Sequence, residues 1–319
     1  MAGPPRLASP LVGARWLRSA LAPPARSLKV LDASWHMPLL MRSGVKEFHE
    51  RRIPSARFFD IDRVCDATSD LPHMLPTASE MVMALADLGI ARGDTVVCYD
   101  ASGIFAAPRL WWMCDALRVD GAAPVTPLVL DGGLPAWIAS GGDVESGDVE
   151  DAPPDAGASL REVAHAATFD AARLADYGDV CGVVDAGGAA SELIVDARSA
   201  GRFSGADPEP RPGLPSGHAP GSANVPFASL LVSNEHDGST YTTLAEVPAL
   251  RESFAEVSKS GKPVIFSCGT GVTACTLALA TEVVKAHPDS GGAPVPSWRV
   301  YDGSWSEYAA RAESRVDRG

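Results

Sequence analysis

The chain has 319 residues, 46% hydrophobic and 21% charged, so it carries enough apolar material for more than one core and is not a disordered polymer. A net charge of −13 argues against a nucleic-acid binder, which needs clustered Lys and Arg to neutralise phosphates. No window approaches the ~18 uninterrupted apolar residues of a membrane-spanning helix, and 30 Gly with 26 Pro predict many tight turns rather than long helical bundles.

Ahead of Asp32 the chain holds Arg6, Arg15, Arg18, Arg26 and Lys29 and no acid, a bias shared with organellar transit peptides. Yet ARWLRSAL (14–21) reads as a helix of the fold and LKVLDASW (28–35) as a strand with its exit loop. That leaves about ten residues, short for a targeting signal, and keeps both a cytoplasmic and a mitochondrial location open. Further along, RRIPSARFFD (51–60) predicts a turn and a strand, and VVCYD (96–100) a strand followed by the helix AAPRLWWMCDAL (106–117). LVLDGGLPAW (128–137) predicts a strand running into a Gly turn. The stretch 141–159 has six acids, no base and a Pro pair, and reads as a solvated linker.

After the linker the same blocks return in the same order. LKVLDASW matches ELIVDARS (192–199), RRIPSARFFD matches GHAPGSANVPF (217–227), DTVVCYDASG (94–103) matches KPVIFSCGTG (262–271), and LVLDGGLPAW matches WRVYDGSWSEY (298–308). The offsets grow slowly: 164 from Asp32 to Asp196, 166 from Pro54 to Pro220, 168 from Asp100 to Cys268, and 171 from Asp131 to Asp302. A period of that size is far beyond the ~20–50 residues of a solenoid repeat and predicts a duplicated domain. Apolar strands alternating with helices, such as VTACTLALATEVVKA (272–286), predict a parallel sheet flanked by helices in each copy. The expected division is 10–140, the linker 141–159, and 160–312.

The six cysteines, Cys65, Cys98, Cys114, Cys181, Cys268 and Cys275, form no CxxC pair, so zinc-ribbon and thioredoxin spacings are missing and a reducing compartment fits. Cys98 and Cys114 lie within or beside apolar runs and read as buried hydrophobes. Cys275 is expected to face the core from its helix, and Cys181 to sit in a Gly-rich loop.

Cys268 is different, because Cys268-Gly269-Thr270-Gly271-Val272-Thr273 stands where a strand ends and a helix begins, the usual ligand position in an open α/β sheet. The glycines let several N–H groups curl inward, and the helix adds its positive end. Both favour a thiolate, and both favour a bound anion. Three readings compete. A structural turn around a buried Cys is the plain one. A phosphatase-type loop needs Arg six residues after the Cys, and position 274 is Ala. The third is sulfur transfer through a cysteine persulfide.

The loop CGTGVTAC resembles that of the rhodanese superfamily, and more narrowly its 3-mercaptopyruvate sulfurtransferase branch, with the plant-type members most alike. The resemblance runs over about 10–312, through RRIPSARFFDID (51–62), LPHMLP (71–76), LWWM (110–113), LDGGLPAW (130–137), DPEPR (207–211), GHAPGSANVPF and YDGSW (301–305). It implies two tandem rhodanese-like α/β domains, each a parallel sheet flanked by helices, with substrate bound between them. It implies transfer of sulfur from 3-mercaptopyruvate, through a Cys268 persulfide, to thioredoxin, another thiol or cyanide, with no metal or organic cofactor, nucleic acid or membrane involved. Arg202 and Arg211 match the branch's substrate-carboxylate residues, and the backbone of Gly269, Gly271, Val272 and Thr273 would hold the persulfide. Asp62, His73 and Thr270 match a proposed proton relay, with Thr270 standing where many relatives carry Ser. Thiosulfate-using relatives place Arg and Lys in the two positions after the Cys; here Gly269 and Thr270 are uncharged. A thiosulfate:cyanide sulfurtransferase and a non-catalytic sulfur carrier are the alternatives. The first copy carries Asp100 where the second has Cys268, so it is expected to be a scaffold.

Overall fold

The computed structural model describes residues 9–22, 27–153, 155–288 and 297–319; Arg6 and Arg26 of the basic N-terminal stretch, and Pro154 of the acidic one, lie outside them. In chain order the strands are β1 (Leu11–Val12), β2 (Leu28–Asp32), β3 (Arg57–Phe58), β4 (Thr95–Tyr99), β5 (Leu117–Val119), β6 (Thr126–Leu130) and β7 (Ala167–Phe169). They continue as β8 (Leu174–Ala175), β9 (Leu193–Asp196), β10 (Ala223–Asn224), β11 (Leu231–His236), β12 (Ser239–Leu244), β13 (Val264–Ser267) and β14 (Trp298–Tyr301).

Two five-stranded sheets form, ordered β1-β6-β4-β2-β3 and β8-β14-β13-β9-β10. Every neighbouring pair in both is parallel. The order is the same once the repeat offset is applied, and the detail repeats as well. Ala33 N–H meets Tyr99 O and Ala197 N–H meets Ser267 O, both at 2.8 Å; Leu134 N–H meets Asp100 O at 3.1 Å and Trp305 N–H meets Cys268 O at 3.0 Å. The physical basis is the apolar strand. All of β4 and all of β13 are buried, which only helices on both faces can achieve. The helices that follow them, Ala107–Ala116 and Ala274–Lys285, are themselves nearly all buried. Leu277, Ala280 and Val284, at helical spacing, are in the core.

By packing, the chain divides into two units that are not contiguous in sequence. One comprises 1–66, 75–170 and 232–244; the other comprises 67–74, 171–231 and 245–319. The first unit's core gathers Leu17, Val30, Phe48, Ile53, Val97, Tyr99, Leu130 and Trp137. The second gathers Val180, Ile194, Ile265, Tyr301, Trp305 and Tyr308. The paired strands β11 and β12 turn at Asp237 (φ 47°) and Gly238 (φ 73°), the two left-handed residues of a tight hairpin. Most of this hairpin belongs to the first unit. Thr242 N–H reaches Ser102 O at 3.2 Å, Ile104 N–H reaches Thr242 Oγ1 at 3.1 Å, and Leu244 N–H reaches Asp131 Oδ1 at 2.8 Å.

The acidic stretch 141–159 is mostly exposed in its side chains, but its backbone is fastened to the first unit. Arg52 and Glu145 exchange both backbone bonds, and the Arg52 and Arg57 guanidinium groups donate to the carbonyls of Gly147 (2.6 Å) and Glu150 (2.8 Å). Cys181 corrects the sequence reading: it lies within the helix Tyr177–Ala186, not in a loop, because Asp176 and Asp179 form a capping box that starts the helix ahead of Gly178. Cys98, Cys114 and Cys275 are buried.

One repeat position shows how a single substitution redirects a buried charge. Asp32 and Asp196 end the equivalent strands β2 and β9, and each accepts the N–H two residues on (Ser34 at 2.8 Å, Arg198 at 2.9 Å). In the second copy that residue is Arg, whose guanidinium also grips Asp196. In the first it is Ser, and burial raises the Asp32 carboxyl to about 7, against the hydrogen bonds from Ser34. A carboxyl raised above its unfolded value near 3.8 gives its full contribution below that value, and the contribution is lost as pH rises through about 7. Asp32→Asn is therefore expected to raise the melting temperature at about pH 8 and to leave it nearly unchanged at about pH 4. Parallel melting curves for variant and wild type across that range would contradict this.

Candidate functional site

Between the end of β13 and the helix Ala274–Lys285, the residues Cys268 to Thr273 form a tight loop. Gly271 has φ 75°, a conformation that favours glycine. From below, the segment after β14 braces this loop. Ser304 Oγ accepts the N–H of Cys268 and of Gly271, each at 3.1 Å, and donates to Tyr301 O at 2.8 Å. Ser306 donates to Gly269 O from its N–H (3.0 Å) and from its Oγ (2.7 Å). Ser304 is fully buried and left-handed at φ 50°, a strain of about 1 kcal/mol or more for a non-glycine residue. Its three hydrogen bonds hold it there.

This bracing corrects one expectation. Gly271 was expected to offer its N–H to a bound persulfide, but that N–H is engaged by Ser304 Oγ; what Gly271 supplies is the backbone turn. The N–H groups of Gly269, Thr270, Val272 and Thr273 have no acceptor among the described residues, and no side chain caps the helix that follows. A row of unspent amides at a helix N-terminus is suited to negative charge.

The first copy shows what this loop does with an anion. Asp100, at the position of Cys268, is 1% exposed. Its Oδ1 accepts the N–H of Ser102 at 2.9 Å, and its Oδ2 accepts those of Phe105 (2.9 Å), Ala106 (2.9 Å) and Ala107 (3.0 Å). There the strand-to-helix amides close around a carboxylate that the chain itself supplies. In the second copy the same turn holds a sulfur, Cys268 being 2% exposed.

Arg202 and Arg211 both come to this loop. A Cβ placed on Gly269 would lie 3.2 Å from Arg202 Nη2 and 3.8 Å from Arg211 Nη1. The two differ in how they are held. Arg202 rises from the short helix Ala200–Ser204, and Glu209 grips it through Nε (3.1 Å) and Nη2 (2.6 Å). Glu209 also accepts from Arg198 Nη1 at 2.7 Å. Arg198 in turn chelates Asp196, donates to Gly217 O, and lies 4.1 Å above the Trp305 ring. Arg211, half-buried, has no hydrogen bond or ion pair among the described residues. Burial pulls its guanidinium below its ordinary value and neighbouring Arg202 adds to that, while Cys268 and Glu209 oppose it.

The relay residues are placed separately. Thr270 is on the loop and 6% exposed, and His73 is 6% exposed with φ 62° in the segment that packs with the second unit. Asp62 packs with the first unit, where its Oδ2 accepts Trp35 Nε1–H at 3.0 Å. Ser304, Ser306, Glu209 and Arg198 were not singled out by sequence reasoning. Their only trace there is a pair of charges inside DPEPR and DARS and two serines beside Trp305. Among the described residues there is no group of three or more His, Cys, Asp or Glu able to hold a metal ion, and no helix long and apolar enough to cross a membrane.

Three comparisons bear on this arrangement. A family model described as a rhodanese-like domain matches residues 183–311. The chain is 40% identical over 314 residues to the 3-mercaptopyruvate sulfurtransferase of Rattus norvegicus, spanning 97% of this chain and 95% of that one. It is 38% identical over 321 residues to the thiosulfate/3-mercaptopyruvate sulfurtransferase 1, mitochondrial, of Arabidopsis thaliana, spanning 97% and 78%. Among solved structures, SseA from Escherichia coli, presented with the rhodanese fold and catalytic mechanism of 3-mercaptopyruvate sulfotransferases, is similar with a TM-score of 0.70 at 31% identity, over 93% of this chain and 99% of that one.

Proposed function

The chain belongs to the 3-mercaptopyruvate sulfurtransferases, a family of rhodanese-like proteins, and from that premise we propose that Cys268 takes the sulfur of 3-mercaptopyruvate as a persulfide and hands it to a thiol or to cyanide. The observation that carries the reading is the conjunction at Gly269. A cysteine on a loop whose amides are unspent among the described residues is flanked by Arg211, without a partner among those residues, and by Arg202, held rigidly.

The chemistry follows from these groups. The substrate's carboxylate is a planar anion that a guanidinium matches with paired N–H donors. Arg211, with its charge unspent, is the primary anchor, and Arg202 supplies a second, oriented set of donors. Cys268 thiolate attacks the substrate sulfur. A new S–S bond forms, the C–S bond breaks, and its electron pair leaves as the enolate of pyruvate. The proton that the substrate thiol carried ends on the enolate carbon, giving pyruvate, and Cys268 is left as an anionic persulfide. We assign the shuttle for that proton to Thr270, His73 and Asp62. The amides of Gly269, Thr270, Val272 and Thr273 stabilise the persulfide charge, as the first copy's amides stabilise Asp100. An acceptor thiolate, of thioredoxin or a small thiol, or cyanide then attacks the outer sulfur and restores the Cys268 thiolate. In this reading 160–312 carries the chemistry, 10–140 is the non-catalytic copy, and 141–159 joins them. We place the protein in the cytoplasm or the mitochondrion, the latter being the compartment in the name of the Arabidopsis relative.

Steady-state rates with 3-mercaptopyruvate and with thiosulfate, each against cyanide and against thioredoxin, test the assignment. Pyruvate release from 3-mercaptopyruvate at a kcat/KM well above that for thiosulfate is expected. A preference for thiosulfate would overturn the donor assignment.

A further inference from the structure

We propose that Glu209 sets the charge preference of the donor site, tuning it to a singly charged donor by offsetting one of the two guanidinium charges beside Cys268. The proposal deepens the donor reading above and rests on it.

Glu209 is an unusual residue to bury. Its side chain is only 2% exposed, yet it accepts from three guanidinium nitrogens, Arg198 Nη1, Arg202 Nε and Arg202 Nη2. Behind it the Arg198–Asp196 pair cancels within itself, since Arg198 Nη2 reaches Asp196 Oδ2 at 2.6 Å. At the loop there remain two positive groups, Arg202 and Arg211, and one negative one, Glu209. The balance before the thiolate is counted is a single positive charge. That balance suits one carboxylate, which is the charge of 3-mercaptopyruvate when its thiol is protonated. It is one short for a dianion such as thiosulfate. Without the Glu209 charge the same two guanidinium groups would present two positive charges beside Gly269, next in sequence to the sulfur, in a half-buried site where the interaction is only partly screened.

Glu209 also fixes geometry. Glu209 grips Arg202 through Nε and Nη2, and Nη2 is also the atom that lies against Gly269. The chain of contacts then runs from Arg202 through Glu209 to Arg198, from Arg198 onto the Trp305 ring, and from Trp305 N–H to Cys268 O. The anion-binding group and the nucleophile are therefore referenced to one buried frame. Glu209 touches neither substrate nor sulfur in this scheme; it is a positioning residue.

The test compares Glu209→Gln and Glu209→Asp with the wild type, measuring kcat and KM separately for 3-mercaptopyruvate and thiosulfate with cyanide as acceptor. Gln keeps the shape and removes the charge. It is expected to lower the ratio of kcat/KM for 3-mercaptopyruvate over thiosulfate at least about tenfold, mostly through KM. Asp keeps the charge and shortens the reach. It is expected to raise both KM values several-fold while leaving the donor ratio within about threefold of wild type. A merely structural role lowers both donors together, so an unchanged ratio in Glu209→Gln overturns the proposal. If Glu209→Gln does not fold, Glu209→Asp decides: unchanged KM values, or a shifted ratio despite the retained charge, overturn it. Failure of the wild type to release pyruvate would instead sink the donor reading, while a thiosulfate rate raised in Glu209→Gln would still report the role of Glu209.

Discussion

Cys268→Ser is expected to abolish sulfur transfer, lowering kcat with 3-mercaptopyruvate by more than about a thousandfold while the melting temperature stays close to wild type. The hydroxyl fits where the thiol sat, and the loop around it is held by bonds that do not use the sulfur. Ser304 Oγ takes the N–H of residue 268, and Trp305 N–H takes its carbonyl. Ser cannot form a persulfide, and its oxygen is far from ionised near neutral pH, so neither half of the reaction has a nucleophile. Pyruvate production by this variant at more than about a tenth of the wild-type rate would show that another group accepts the sulfur.

Arg211→Ala carries the second large effect. Arg211 forms no ion pair or hydrogen bond among the described residues, so its removal strands no partner and should cost the fold little, within about 0.5 kcal/mol. Its loss removes, among the described residues, the unspent positive charge beside Gly269. The expected result is a fall in kcat/KM for 3-mercaptopyruvate of about a hundredfold, most of it in KM. The contrast with Arg202 is physical. Removing Arg202 would leave Glu209 short of two of its three donors, and the fold as well as the substrate would feel it. A small KM effect for Arg211→Ala together with a large loss of stability would mean that Arg211 is a structural residue and that the carboxylate binds elsewhere.

The parts of this account that were legible in the sequence are those fixed by short stretches. Runs such as TVVCY and VIFS bury all their side chains, and they read as central strands without help from the rest of the chain. The Cys268 loop was legible for the same reason, since its glycines, its position after a strand and the helix behind it all lie within one short segment. The repeat was legible because the two copies keep the same strand ends, Asp32 and Asp196. What escaped depended on contacts that no local pattern announces. Ser304 braces Cys268 from a segment that follows a different strand of the sheet. In the sequence Glu209 is one acid in a Pro-rich stretch, and its role shows only in its burial between Arg198 and Arg202. The hairpin of β11 and β12 comes from the second half of the sequence yet packs with the first unit, and the segment carrying His73 comes from the first half and packs with the second. Hydrophobic periodicity says that such segments must cover something, but not which core they cover.

Asp100 makes the two loops a natural comparison within one chain. Where the chain supplies a carboxylate, the amides of Ser102, Phe105, Ala106 and Ala107 are all used and the site is filled. Where it supplies a sulfur, several amides have no acceptor among the described residues, and two arginines lie beside them.

Whether Cys268 takes the sulfur is read from the mass of the protein after brief exposure to 3-mercaptopyruvate with no acceptor present. The expected result is a gain equal to one sulfur atom, located on the peptide containing Cys268, matched by one equivalent of pyruvate and lost on adding cyanide. Pyruvate released with no added sulfur on Cys268, or sulfur found on another cysteine in its place, would contradict it.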